Sequence, residues 1–154
     1  MPEYRVCKYD PALRDAAGRY LRPDEWTAFS DVGTSVTLEA YLRVEAAYLD
    51  VALAFLDEAG VRSLAIRWSP GEVGAPADLR NGEWLAGEAL RSALQRVLRE
   101  EMWARFEDGA GAFVHFGYDY YMFIGAPAGC PGAMALASAR GLFVEPCTSP
   151  LDPE

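Results

Sequence analysis

One histidine stands in the whole chain of 154 residues, His115. It lies in the most apolar and aromatic run of the sequence, AFVHFGYDYYMFIG at residues 112–125. An imidazole working with a carboxylate is the common means of moving a proton near neutral pH. His115, Asp119 and the neighbouring Tyr121 are therefore where chemistry is sought first. Read as one extended strand, the run sets Val114, Phe116, Tyr118, Tyr120, Met122 and Ile124 on one face. His115, Gly117, Asp119 and Tyr121 fall on the other. His115 and Asp119 are then ~13 Å apart at ~3.3 Å per residue, too far to share a hydrogen bond. What the spacing does suggest is a notch. Gly117 has no side chain, and His115, Asp119 and Tyr121 wall a small polar ligand pocket around it. The plain structural alternative is a histidine and an aspartate satisfied by backbone or arginine neighbours, as buried polar groups usually are.

Glu45 is the next candidate. It falls inside the apolar arc Leu38, Tyr41, Val44, Tyr48, Ala52, Phe55 and Leu56 of an amphipathic helix over residues 37–59. A carboxylate there is costly unless paired. It is either an ion pair with an arginine across the sheet, such as Arg67 or Arg105, or an acid of raised pKa that completes the His115 pocket. Nothing in the spacing joins Glu45 to His115 or Asp119, and no residue is assigned as catalytic. A different kind of site is suggested by Asp24, Glu25, Trp26 and Asp31. An indole among carboxylates is a usual anchor for a basic protein partner. Its alternative is a covering loop whose tryptophan is buried.

Several function classes lack their signatures. There is no P-loop, no GxGxxG and no GxSxG elbow. One histidine excludes a multi-histidine metal site within one subunit, so no metal or cofactor is expected. Cys7, Cys130 and Cys147 are odd in number, far apart and without CxxC spacing, which reads as reduced thiols in a cytoplasmic protein. The formal net charge of −9 argues against nucleic acid, whose phosphates it would repel, and permits steering of a basic partner. No run approaches the ~18 apolar residues of a membrane span, and the opening MPEYRVCKYD has no apolar signal segment.

The elements that must position these residues follow from periodicity and turn signals. Residues 4–8 read as a strand, and 9–35 as a long irregular segment pinned by Tyr20, Trp26 and Phe29. The helix over 37–59 has Thr37 as N-cap and Gly60 as its stop. A strand over 61–68 leads to a Gly/Pro-rich loop at 69–81, the best candidate for a mobile segment. A second helix over 87–101 buries Leu90, Leu94, Val97 and Leu98 and turns Arg91, Gln95 and Arg99 outward. A strand over 102–107 joins the 112–125 strand through DGAG. A short helix over 133–140 and a strand over 142–145 precede a frayed tail from Pro146. A hairpin turn at Gly117-Tyr118 is the alternative to one long strand. It is disfavoured because it sets Asp119 beside Phe116 on an apolar face. The expected fold is a single α+β domain over 1–154, with a mostly antiparallel sheet of about five strands and two main helices on one face.

The blocks VCKYDP, DEWTAFSDVG, TLEAYLRVEAAYL, VHFGYDYYMFIG and GLFVEPCTSP resemble those of an uncharacterised family of small bacterial cytosolic proteins. The resemblance brings no catalytic residue with it. In size, acidity and α+β make-up the chain is also similar in type to immunity proteins of bacterial toxin systems. The function expected from these features is a non-enzymatic binding module, an immunity-type inhibitor that caps a basic partner. The alternative is a small enzyme or ligand-binding domain using the notch.

Overall fold

In a computed structural model the described residues are 2–17, 25–69 and 76–149. They form an α+β fold of seven strands and three α-helices. The strands are β1 (Glu3–Cys7), β2 (Leu64–Arg67), β3 (Trp84–Leu85), β4 (Arg105–Glu107), β5 (Phe113–Phe116), β6 (Met122–Gly125) and β7 (Phe143–Pro146). The helices are α1 (Leu38–Glu58), α2 (Gly87–Leu98) and α3 (Pro131–Ala139). The sheet order is β3-β2-β4-β5-β6-β1-β7, and every pairing is antiparallel. The antiparallel sheet is as expected. The counts of about five strands and two main helices are corrected to seven and three.

One of the two extra strands comes from a single correction. Residues 112–125 are a hairpin, not a single strand. Fourteen residues in one strand would run ~46 Å, beyond the 3–10 residues usual for strands. The chain folds back at Gly117, with Phe116 opposite Met122 and His115 opposite Phe123. The five-residue loop keeps the parity of the alternation. Val114, Phe116, Met122 and Ile124 therefore still share one face, and all are buried. Tyr4, Val6 and Phe106 join them through the register. The second addition, β3, is two residues long and pairs Trp84 with Ala65.

α1 packs on that face, with Phe55 against Tyr4 at 5.5 Å between ring centroids. It is flanked by α2 and α3. Thr37 Oγ1 accepts the Ala40 amide at 3.1 Å and starts α1. All three helices end in the same hydrogen-bond pattern. The residue two beyond the cap donates back across the last turn: Val61 to Leu56, Glu101 to Arg96 and Leu142 to Ala137 at 2.8, 2.9 and 2.8 Å. The residue that must turn left-handed is Gly60 in α1 and Gly141 in α3, but Glu100 in α2.

The reverse face carries Phe113, His115, Phe123 and Cys7, all buried. The tail expected to fray from Pro146 is pinned over them as far as Ser149. Cys147 and Ser149 amides donate to the Glu3 carbonyl and carboxylate at 3.1 and 3.3 Å. Ser149 Oγ lies 3.2 Å from His115 Nδ1. The loop expected to be mobile at 69–81 falls partly outside the described residues, as do Tyr20 and Asp24.

His115 is 2% exposed and stacked on Phe113 at 4.3 Å. Burial, with the Arg105 charge added, lowers its pKa to about 4. The unfolded chain, with an ordinary histidine near 6.5, then binds the proton first. The stability this neutral histidine contributes is present above about pH 6.5 and is lost as pH falls toward 4, to the extent of about 3 kcal/mol. Urea titrations from pH 7 to 4 are expected to show this decline, and His115→Gln to flatten it between pH 6.5 and 4.5.

Candidate functional site

Glu45 is 2% exposed, inside the helix layer. Its carboxylate accepts four hydrogen bonds. Arg99 gives Nε at 2.7 Å and Nη2 at 2.8 Å, Gln95 gives Nε2 at 2.8 Å, and Tyr41 gives its hydroxyl at 2.6 Å. Burial alone would raise its pKa. The bonds from Arg99, Tyr41 and Gln95 and the Arg99 charge outweigh burial and hold the carboxyl below its usual range. It is a closed, ionised pair. The expectation of Arg67 or Arg105 as partner is corrected: the arginine comes from α2, because Glu45 faces that helix and not the sheet. The residues read as the outer side of α2 are the ones that grip α1, with Arg91 on Asp50 at 2.7 Å besides Gln95 and Arg99 on Glu45. At i, i+4, i+8 they form a second stripe beside the apolar one.

The network continues to the β5–β6 hairpin. Tyr120 donates its hydroxyl to Tyr41 Oη at 2.8 Å, and the Tyr48 hydroxyl donates to the Tyr120 carbonyl at 2.9 Å. Trp26 closes against Tyr120 and Tyr41 at 4.9 and 5.3 Å. The Tyr9 hydroxyl donates to the Asp119 carbonyl at 2.7 Å. One carboxylate thus ties the end of α2 and the hairpin tip to α1.

The expected ligand pocket does not assemble. Glu45 lies between α1 and α2, His115 on the opposite face of the sheet, and Asp119 is exposed at the hairpin tip. Gly117 is not an open notch, since a Cβ there would sit 3.0 Å from the Phe123 ring. Tyr121 lies under the Arg5 guanidinium at 5.0 Å and against Tyr9 at 5.6 Å. The expected anchor segment is likewise internal. Trp26 is 9% exposed. Glu25 holds Lys8 at 2.7 Å, and Asp31 accepts the Thr27 and Ala28 amides at 2.8 and 3.2 Å. Asp24 lies outside the described residues. Among the described residues no group of three or more His, Cys, Asp or Glu could hold a metal ion, and no helix is long and apolar enough to cross a membrane.

What the structure does expose is a different aromatic pair. Tyr118, at the hairpin tip, is 80% exposed, and Trp103, between α2 and β4, is 41% exposed. Their rings meet edge to face at 6.1 Å and 60°. Exposed carboxylates adjoin them in the chain: Glu100, Glu101 and Asp119. Three non-glycine residues have a left-handed φ among the described residues, Glu100 at 61°, Asp119 at 60° and Tyr120 at 66°. All three lie within three residues of Trp103 or Tyr118. Such conformations cost on the order of 1–3 kcal/mol each and collect at functional sites. In the sequence Tyr118 reads, with Tyr120, Tyr121 and Phe123, as part of an aromatic platform for binding or, more often at strand spacing, as core packing. Trp103 had a usable signal. In MWARFE it alternates with Met102, Ala104 and Phe106 and keeps company with Arg105 and Glu107, the solvent pattern.

Glycine at the α2 terminus would relieve the strain that glutamate carries. Glu100→Gly is expected to raise stability by about 1 kcal/mol, read as a higher denaturation midpoint at unchanged m-value. A loss of stability would mean that the left-handed glutamate is not strained.

Comparison with protein families, curated proteins and solved structures finds no match to this chain.

Proposed function

We propose that the protein is a non-enzymatic binding module, an inhibitor of the immunity type, that caps a basic protein partner with the Trp103–Tyr118 surface. The observation that carries this reading is an exposed aromatic pair held by two strained turns and flanked by carboxylates. A large exposed aromatic contributes little to folding, and strained turns cost stability. Their coincidence at one place is what an interface anchor requires. Glu100 and Asp119 make no ion pair among the described residues, and Glu101 has only Arg96 at 3.9 Å. With a chain charge of −9 they favour approach of a positive surface. The anchor is thus Trp103 and Tyr118 instead of Trp26, which is buried in the core. A second reading, an enzyme built on His115, Asp119 and Glu45, is favoured by no observation, since those side chains do not converge.

The mechanism is occlusion. Charge steers the encounter, and the two rings and their carboxylate rim are then desolvated against the partner. Affinity capture from native lysate at low salt is expected to return one stoichiometric protein of basic pI, released as salt rises. Trp103→Ala or Tyr118→Ala weakens that complex by at least about 30-fold, the range of an interface hot spot. Trp84→Ala, at an exposed indole on the sheet edge, leaves it intact. Retention of the partner by both Trp103→Ala and Tyr118→Ala would contradict this surface.

A further inference from the structure

Resting on that reading, we infer that Trp103 and Tyr118 are two walls of a receptor for a single cationic side chain of the partner, an arginine or a lysine. The rings stand at 60° with centroids 6.1 Å apart. That leaves an open angle in which a cation can lie within about 6 Å of both rings. Asp119 follows Tyr118 directly in the chain, and Glu100 and Glu101 precede Trp103. A cation stripped of water over two rings needs a carboxylate at its rim, and these supply it.

The protein already contains a filled version of the same chemistry. Lys8, the single lysine of the chain, has its side chain 6% exposed. Its ammonium sits 4.2 Å from the Tyr9 ring and 4.2 Å from the Trp26 ring, and it donates to Glu25 at 2.7 Å. A tyrosine, a tryptophan and a carboxylate are enough to hold a cation with almost no water. The exposed pair has the same composition, with no cation of the described chain over its rings. Arg105, two residues past Trp103, begins β4.

The probe is N-acetyl-arginine amide, with N-acetyl-citrulline amide as its neutral isostere. The readout is the indole N–H resonance of Trp103 in the nitrogen-15 protein, assigned by Trp103→Phe, with Trp84 as internal reference. A saturable shift at Trp103 is expected with the arginine derivative. It is at least tenfold weaker with citrulline, lost in Tyr118→Ala and reduced several-fold in Asp119→Asn. Tyr118 is exposed and Asn tolerates a left-handed φ, so both variants keep the fold. Equal shifts with the two probes, no saturable shift, or a shift indifferent to Tyr118→Ala would overturn the receptor. If the cation receptor fails while a basic partner still requires Trp103 and Tyr118, only the single-cation recognition falls. If partner binding is indifferent to both substitutions, the interface reading falls with it.

Discussion

The carboxylate of Glu45 holds together what the sheet alone could not. A charge in the apolar stripe of α1 is a liability, and it is tolerated because four donors from three side chains surround it. Their origins matter as much as their number. Arg99 and Gln95 come from the last turns of α2, and Tyr41 passes the connection to Tyr120 in the hairpin. Hydrophobic packing would hold α2 against α1 at several neighbouring registers with little difference in energy. A bidentate guanidinium and a hydroxyl chain select one. The register so chosen is what brings the α2 terminus and the β5–β6 tip side by side.

From that placement the surface follows. Glu100 sits one residue past Arg99 and turns left-handed, which starts the chain toward Met102, buried at 1% exposure, and Trp103, which is not. Across from it Tyr120 is held at both its hydroxyl and its carbonyl, so its positive φ is imposed by the core and not by local preference. Tyr118 and Asp119 are projected outward as a result. The cost of the two turns is met by buried interactions a few residues away. Stability and presentation of the rings are therefore coupled through one network, the arrangement expected when a rigid scaffold positions an adaptable contact.

The apolar alternation of residues 112–125 was legible because parity is indifferent to a five-residue turn. Val114 and Ile124 face α1 whether the run is one strand or two. The fold-back had a signal in Gly117-Tyr118, but a two-residue turn there sets Asp119 beside Phe116. The actual turn spans five residues, 117–121, and puts Met122 opposite Phe116; it is held by Tyr9 at the Asp119 carbonyl and by Tyr41 and Tyr48 at Tyr120, each 72 or more residues distant. The cost of Glu45 was legible from its place on the helical wheel, whereas its partner was not. A stripe of Arg91, Gln95 and Arg99 looks the same whether it meets water or a neighbouring helix. Trp26 and Trp103 were exchanged for a similar reason. Acidic neighbours mark both, and only the fold shows that Lys8 and the tyrosines have drawn Trp26 inside.

The central claim is that one carboxylate positions both halves of the aromatic surface. Native-state amide hydrogen exchange on Glu45→Gln against the parent protein tests it directly. Protection is expected to fall together in residues 99–103 and 117–121, while β1 and β7 keep theirs. Loss confined to the α2 terminus, or no loss at the hairpin, would show that the two are held independently and that the Glu45 network does not organise the surface.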